Sequence, residues 1–300
     1  MTAAILADLA WGEPPAGWHP VVHAGRLLEA GHGDRREASP IGQFSRGAAV
    51  LFGVVLLTAI GARAVERAAG RRGWIIAALA LKPTFSLRQL VFEGRSVGSA
   101  LSRHDLPGAR RGLRALVSRP TDAMTESQAA SAAIESMAEN LSDSVTAPWF
   151  YYALFGLAGA AVYRVVNTAD AMFGYRGEME WWGKAAARAD DVLSWIPSRL
   201  TALALVLAAA VAEGPLAGKS ALAGWRADHG QTQSPNAGHP MAAMSGALNR
   251  RLEKRGHHAL GERRPDPRPE DVERAARIVM VGAGIVAGGA MALICLGRRR

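Results

Sequence analysis

The sequence predicts an all-α, polytopic integral membrane protein with about four to five membrane segments and helical polar connections. Three observations predict it. Apolar residues are 49% of the 300-residue chain, yet they clump into blocks where a soluble domain would space them at helix or strand period. Five of those blocks approach the roughly 20 residues that a bilayer requires. The mean hydropathy of +0.05 looks neutral only because it averages these blocks with arginine-rich connections. A soluble chain of this length rarely needs five such cores, so residues 1–300 read as a single membrane-embedded domain.

The blocks follow in order. Gly47–Val65 is nearly free of charge. Trp74–Phe92 is interrupted by Lys82-Pro83, and the proline removes a helix hydrogen bond. Trp149–Val166 opens on aromatics suited to an interface. Ile196–Val211 carries one arginine. Ile278–Leu296 is uncharged, rich in small residues and followed by three arginines. The start, MTAAILADLAWGEPP, lacks the basic segment and cleavage site of a signal peptide and reads as the stump of a further helix. Connections 93–148 and 214–276 are both rich in arginine, which by charge bias places both in the cytoplasm. That leaves the C-terminal arginines on the wrong side, so one or both middle blocks are expected to form a re-entrant pair or a partly buried hairpin.

Composition narrows the function. There are 35 Lys plus Arg against 26 Asp plus Glu, a formal charge of +9. Disorder is excluded by the apolar content. A disulfide scaffold and a zinc ribbon are excluded because Cys295 is the lone cysteine. Nucleic acid is not an expected partner, since the arginines are scattered through every connection and form no aromatic-interleaved patch; anionic lipid and phosphate-bearing ligands suit them better. Gly214–Ser220 is one residue short of a P-loop and follows an apolar helix, so it reads as a helix end. Arg250–Glu270 reads as a mobile loop with His257 and His258 in solvent.

Four polar segments are too dense in turns, acids and amides to be plain linkers. Asp8–Gly25 contains Pro14-Pro15 and His19-Pro20, which fix extended turns. Thr125–Pro148 lacks Gly and Pro until its end and predicts a helix. On it Glu135, Glu139 and Asp143 fall at i, i+4 and i+8, which at about 100° per residue places them on one face. No Lys or Arg stands between Arg119 and Arg164. The face is either a solvated acidic surface or one that a cation completes, and Mg²⁺ prefers such oxygen ligands. Asn167–Arg199 holds Asp170, the pair Asp190-Asp191 and the cations Arg176, Lys184, Arg188 and Arg199. Gln231–Gly246 opens with a turn cluster, Ser234-Pro-Asn236-Ala-Gly238, and continues as a helix after His239-Pro240. A turn opening a helix offers N–H groups to an anion.

Taken together, ESMAENLSDSVTAP, YRVVNTADAMFGYR, ARADDVLSWIPSRL and SPNAGHPMAAMSGAL, in this order after the N-terminal D-x-x-x-G-x-P-P and H-P-V, resemble the CobD/CbiB family of cobalamin biosynthesis. The resemblance covers nearly the whole chain. It departs where Gly12-Glu13-Pro14 stands for the expected G-D-P, and where only a few residues precede Asp8. A distant relative, the AmpE family, shares the membrane architecture and is associated with β-lactamase regulation; a sensor or transporter of that kind is the alternative reading.

The resemblance implies a multi-pass enzyme of the cell membrane that joins (R)-1-amino-2-propanol O-2-phosphate, or aminopropanol, to adenosylcobyric acid. The reaction implied is amide formation with ATP as cosubstrate and Mg²⁺, in possible association with other membrane enzymes of the pathway. Under that implication Glu135, Glu139, Asp143 and Asp190 are the metal candidates. Glu135, Glu139, Asp191 and Arg199 are the catalytic candidates. Asn140, Asn167, Asp170, Arg176, Lys184, Ser234, Asn236 and His239 are the substrate-binding candidates. The hydrophilic segments are expected to fold back to one pocket near the lipid boundary.

Overall fold

A computed structural model describes every residue except 33–38, 71–72, 176, 178 and 298–300. The helices run α1 (Thr2–Trp11), α2 (Pro20–Ala30), α3 (Pro40–Ala69), α4 (Trp74–Leu81), α5 (Leu87–Ser102), α6 (Leu106–Leu113), α7 (Glu126–Leu141), α8 (Ala147–Phe173), α9 (Glu180–Leu193), α10 (Trp195–Ala212), α11 (Pro215–Asp228), α12 (Gly238–Leu248) and α13 (Pro269–Gly297). Strands β1 (Leu252–Lys254) and β2 (His258–Leu260) form one antiparallel hairpin. The protein is thus an all-α polytopic membrane protein. Five helical stretches are long and apolar enough to cross a membrane: Pro40–Ala69, Trp74–Ser102, Glu126–Phe173, Trp195–Ala212 and Pro269–Gly297.

Local rules explain the boundaries. Ser39 accepts the N–H of Gly42 and Pro40 takes the first turn of α3. The second apolar block breaks where Pro83 predicts, with a 3₁₀ turn at Lys82–Thr84 between α4 and α5. Thr125 and Gln128 form a reciprocal capping box at the start of α7. Gly214 caps the start of α11 with φ 99° directly after α10, so Gly214–Ser220 follows a helix as expected but opens the next one, which corrects its reading as a helix end.

The chain divides into two compact units. The first comprises Met1–Ser86, Ala147–Ser194 and the chain from Ala290; the second comprises Leu87–Thr146 and Trp195–Gly289. In the first, α3, α8 and α9 pack together, with α2 on α8. Their core holds Leu28, Val54, Val165, Phe173 and Trp182. Helix α8 bends at Gly156 (φ 71°). There the Glu66 carboxylate accepts the N–H of Leu157 at 2.5 Å. An acid thus caps the second half of α8 as it would a new helix. A Cβ at position 156 would strike that carboxylate, so glycine is required twice over.

In the second unit α12 packs against α7, α10 and α11, and all eleven of its residues are buried. A helix can be buried on every side only if no side chain needs water. GHPMAAMSGAL meets that condition with small and apolar residues, and its one imidazole is hydrogen-bonded. Large apolar side chains elsewhere face outward, among them Phe52, Leu57 and Ile60 on α3 and Leu203, Leu207 and Val211 on α10. Exposed apolar area of this kind needs a bilayer to cover it.

Candidate functional site

Within the first unit, helix geometry brings α8 and α9 side chains into one polar network. Asn167 donates to Asp190 at 3.2 Å, and Ser194 donates to the other Asp190 oxygen at 3.3 Å. Ser194 in turn bonds Tyr163 at 3.1 Å. Arg164 donates to Asn167 at 3.2 Å. Burial raises the pKa of Asp190 above the usual carboxylate range, and the neighbouring Asp191 adds to the rise against the lowering effect of its two donors. Asp191 is raised as well, by burial, although Arg188 at 3.6 Å opposes it. Lys184 lies over the ring of Trp181 at 4.1 Å and 3.9 Å from Glu180. Asp170 is half-buried near the end of α8. Arg176 lies outside the described residues.

A second cluster in the first unit was not assigned from sequence. Lys82, in the 3₁₀ turn, is buried and meets Asp8 at 3.0 Å and Glu13 at 2.7 Å. His19 bonds the other Glu13 oxygen at 2.9 Å. Burial opposes ionisation of Glu13, but the bonds from His19 and Lys82 outweigh it and hold its pKa low. The glutamate at the expected G-D-P position therefore keeps an acid's role. A lysine beside a proline inside an apolar block was the signal, because an intramembrane cation needs a partner.

In the second unit the acidic face of α7 is divided. Glu135 is buried, with one oxygen on His258 Nε2 at 2.7 Å and the other on Arg119 at 3.3 Å. Glu139, Asn140 and Asp143 are half-buried. The expectation of one continuous α-helical face fails at Ser142, where a π-helical turn runs to Thr146 and shifts the phase. Asn140 donates back to the Ser136 carbonyl at 3.0 Å. The expectation of a solvated His258 is also corrected. The hairpin carrying it docks on α7, where Ser131 accepts the N–H of Glu253 at 2.8 Å.

The other polar group of this unit gathers around α12. Arg199 donates to the Asn236 side-chain oxygen at 3.3 Å and stacks 4.2 Å over Trp195. Ser198 also donates to Asn236, at 3.4 Å. Ser234 accepts the N–H groups of Asn236 and Ala237 at 3.2 and 3.3 Å, so its hydroxyl shapes the turn. A Cβ on Gly238 would collide with the His229 carbonyl, which explains the glycine of this segment. Trp225 donates to His239 Nδ1 at 2.8 Å, and His229 stacks on His239 at 4.6 Å. Burial, then the charges of Arg199 and His229, lower the His239 pKa to about 4. Arg199, Leu222, Trp225, Arg226, His229 and His239 line a cavity of about 490 Å³. Trp225, Arg226 and His229 were missed from sequence because they end α11, just ahead of the turn that drew attention.

A cavity lined by two arginines, two histidines and a tryptophan suits a phosphate-bearing ligand. Mg²⁺ is a separate question. Among the described residues no three His, Cys, Asp or Glu side chains gather as a metal cage. Glu135 does not fit a metal ligand, since both its oxygens are engaged. Glu139 and Asp143 are half-buried carboxylates, and an Mg²⁺ ion that arrives on phosphates takes only one or two such groups.

The family described as CobD/Cbib protein matches residues 1–279. The chain is 38% identical over 263 residues to "Cobalamin biosynthesis protein CobD" of Dehalococcoides mccartyi, covering 86% of this chain and 85% of that one. It is also 38% identical to "Probable cobalamin biosynthesis protein CobD" of Pyrococcus furiosus, over 93% and 92% of the two chains. The Thermococcus kodakarensis protein of the same name is 38% identical over 98% and 93%. No solved structure matches. With the match running through α1 to the apolar run of α13, the chain belongs to the CobD/CbiB family.

Proposed function

We propose that this protein is a membrane-embedded enzyme of cobalamin biosynthesis that forms an amide bond. Its substrates in this reading are adenosylcobyric acid and (R)-1-amino-2-propanol O-2-phosphate or aminopropanol, with ATP consumed. Family membership supports the pathway. The cation-lined cavity at Arg199, Arg226 and His229 is the observation that carries the chemistry, because both ATP and the amine substrate present phosphate.

An amide cannot form efficiently from a free carboxylate, whose oxygen is a poor leaving group. In the proposed sequence a carboxylate oxygen of the corrinoid attacks the γ-phosphorus of ATP and ADP departs. The amine nitrogen then attacks the acyl carbon, the C–N bond forms and phosphate leaves. The nitrogen sheds a proton as it attacks.

Asp190, within the first unit, has the chemistry of a proton acceptor. Its raised pKa brings it nearer neutrality, where a general base works best, and Asn167 and Ser194 hold its two oxygens in place. Arg199, oriented by Asn236 and Trp195, neutralises phosphate charge. His239 is fixed as a neutral ring by Trp225 and supports the wall on which His229 stacks. Glu139 and Asp143 would hold Mg²⁺, which when bound offsets phosphate charge. The plasma membrane is the proposed location.

The test is genetic. A strain lacking this step, supplied with cobyric acid, should regain cobalamin synthesis when it expresses this chain. Failure to do so, with the protein present in the membrane, would contradict the reading and favour a regulatory role.

A further inference from the structure

Three helices of the second unit enclose a groove of about 740 Å³, lined by Arg95 of α5, by Ala212 and Glu213 at the end of α10, and by Arg277, Met280 and Val281 of α13. We propose that this groove binds an anionic phospholipid, with the headgroup phosphate at Arg95 and Arg277 and the first acyl carbons along Ala212, Met280 and Val281.

The position supports this first. Ala212 ends the apolar helix α10 and Glu213 follows it directly. Met280 and Val281 lie at the start of the apolar run of α13, one turn beyond the charged residues Glu273, Arg274 and Arg277. The groove therefore spans the passage from charged to apolar side chains on two helices at once. That gradient is where lipid headgroups meet their chains.

Charge supports it next. Arg95 pairs with Glu273 at 2.8 Å. Glu213 takes both Arg274 and Arg277, at 2.8 and 3.1 Å. Asp271 takes Arg250 and Arg274, at 2.6 and 2.7 Å. Arg250, Arg274 and Arg277 thus form one connected set with Glu213 and Asp271, 3 − 2 = +1, beside the neutral Arg95–Glu273 pair. Arg95 and Arg277, each about half exposed, put two guanidinium groups on the rim of the groove. A guanidinium has five N–H donors, and Arg277 spends one bond on Glu213, so it can take a phosphate without releasing its partner.

Size supports it last. The groove falls in the range of sites that hold whole small molecules, well above what a bare phosphate fills. A phosphate with attached carbon chains uses both its charged rim and its apolar wall.

The full chain, purified in mild detergent, is tested by native mass spectrometry with phosphatidylglycerol, phosphatidylcholine and inorganic phosphate. The wild type should retain phosphatidylglycerol about tenfold better than phosphatidylcholine, and millimolar phosphate should not displace it. An R95Q/R277Q double variant should lose that preference while keeping its melting temperature within a few degrees. Equal retention of the two lipids by the wild type overturns the proposal, and this comparison needs no variant. So does an unchanged preference in a folded double variant. Displacement by inorganic phosphate overturns it in favour of a free-anion site.

Discussion

The indole N–H of Trp225 reaches Nδ1 of His239 at 2.8 Å, and that bond decides where the imidazole carries its proton. With Nδ1 as acceptor, the hydrogen sits on Nε2. Protonation would force two N–H groups together, which agrees with a pKa lowered to about 4. The unfolded chain takes up this proton near pH 6.5 and the folded chain only near pH 4. His239 thus contributes stability that is fully present above about pH 6.5 and is lost as the pH falls towards 4. Thermal unfolding across this window should show the wild type losing more stability than H239Q, which cannot titrate. Parallel curves would refute the assignment.

Arg199 faces the cavity with Asn236 behind it. Replacing it by alanine removes charged hydrogen bonds worth about 1.5–3 kcal/mol. The KM for the phosphorylated amine should rise by about tenfold to a hundredfold, with a smaller effect on unphosphorylated aminopropanol. Equal effects on both amines would show that Arg199 does not contact that phosphate.

Asp190 is predicted to be the base. D190N should cost roughly a hundredfold or more in turnover without loss of membrane insertion. The acidic limb of the pH–rate profile reports the protonation of this group. D191N removes a repulsion that helps raise the pKa of Asp190, so in that variant the limb should move to lower pH. A limb that stays in place would point to another base.

Glu135 and Glu139 share a helix, and the proposed function gives a ligand's role to Glu139 alone. E135Q weakens the bonds to His258 and Arg119 in a buried site and should destabilise the protein by roughly 2 kcal/mol. E139Q, at a half-buried position where Glu135 is buried, should cost less stability than E135Q while abolishing product formation. Melting curves and turnover measured together separate the two. The same stability loss in both variants would mean that Glu139 is structural as well.

Lys82 meets fully buried Asp8 at 3.0 Å. K82M takes the cation away from a buried carboxylate, and breaking such a pair costs about 3–5 kcal/mol. The variant should fail to accumulate, and K82M combined with D8N should recover part of the yield. An abundant single variant would show that the pair carries little.

Much of this fold was legible because its signals are local. The five apolar blocks, the break at Lys82-Pro83, the capped helix from Glu126 and the helix after His239 all follow from period, proline and capping rules that act within a few residues. What was not legible depends on distant partners. Glu135 meets His258 across 123 positions, so no spacing rule on α7 could reveal that its carboxylate was already engaged. The π-turn at Ser142 likewise upset a face calculated for a regular helix. The Glu66 cap at Gly156 is long-range as well, since only the packing of α3 on α8 creates it. Of the candidate site residues, Asn167 with Asp190, and Arg199 with Asn236, were named from the same motifs that bring them together. Trp225, Arg226 and His229 were not, because nothing in their own segment distinguishes them from an ordinary helix end.

The most direct test is mass spectrometry of the product made by purified protein from adenosylcobyric acid, ATP, Mg²⁺ and each amine in turn. The expected result is a corrinoid heavier by the amine less one water, with one ADP formed per amide. A folded, lipid-loaded protein that yields no such corrinoid, or yields it equally well without ATP, would contradict the proposed reaction.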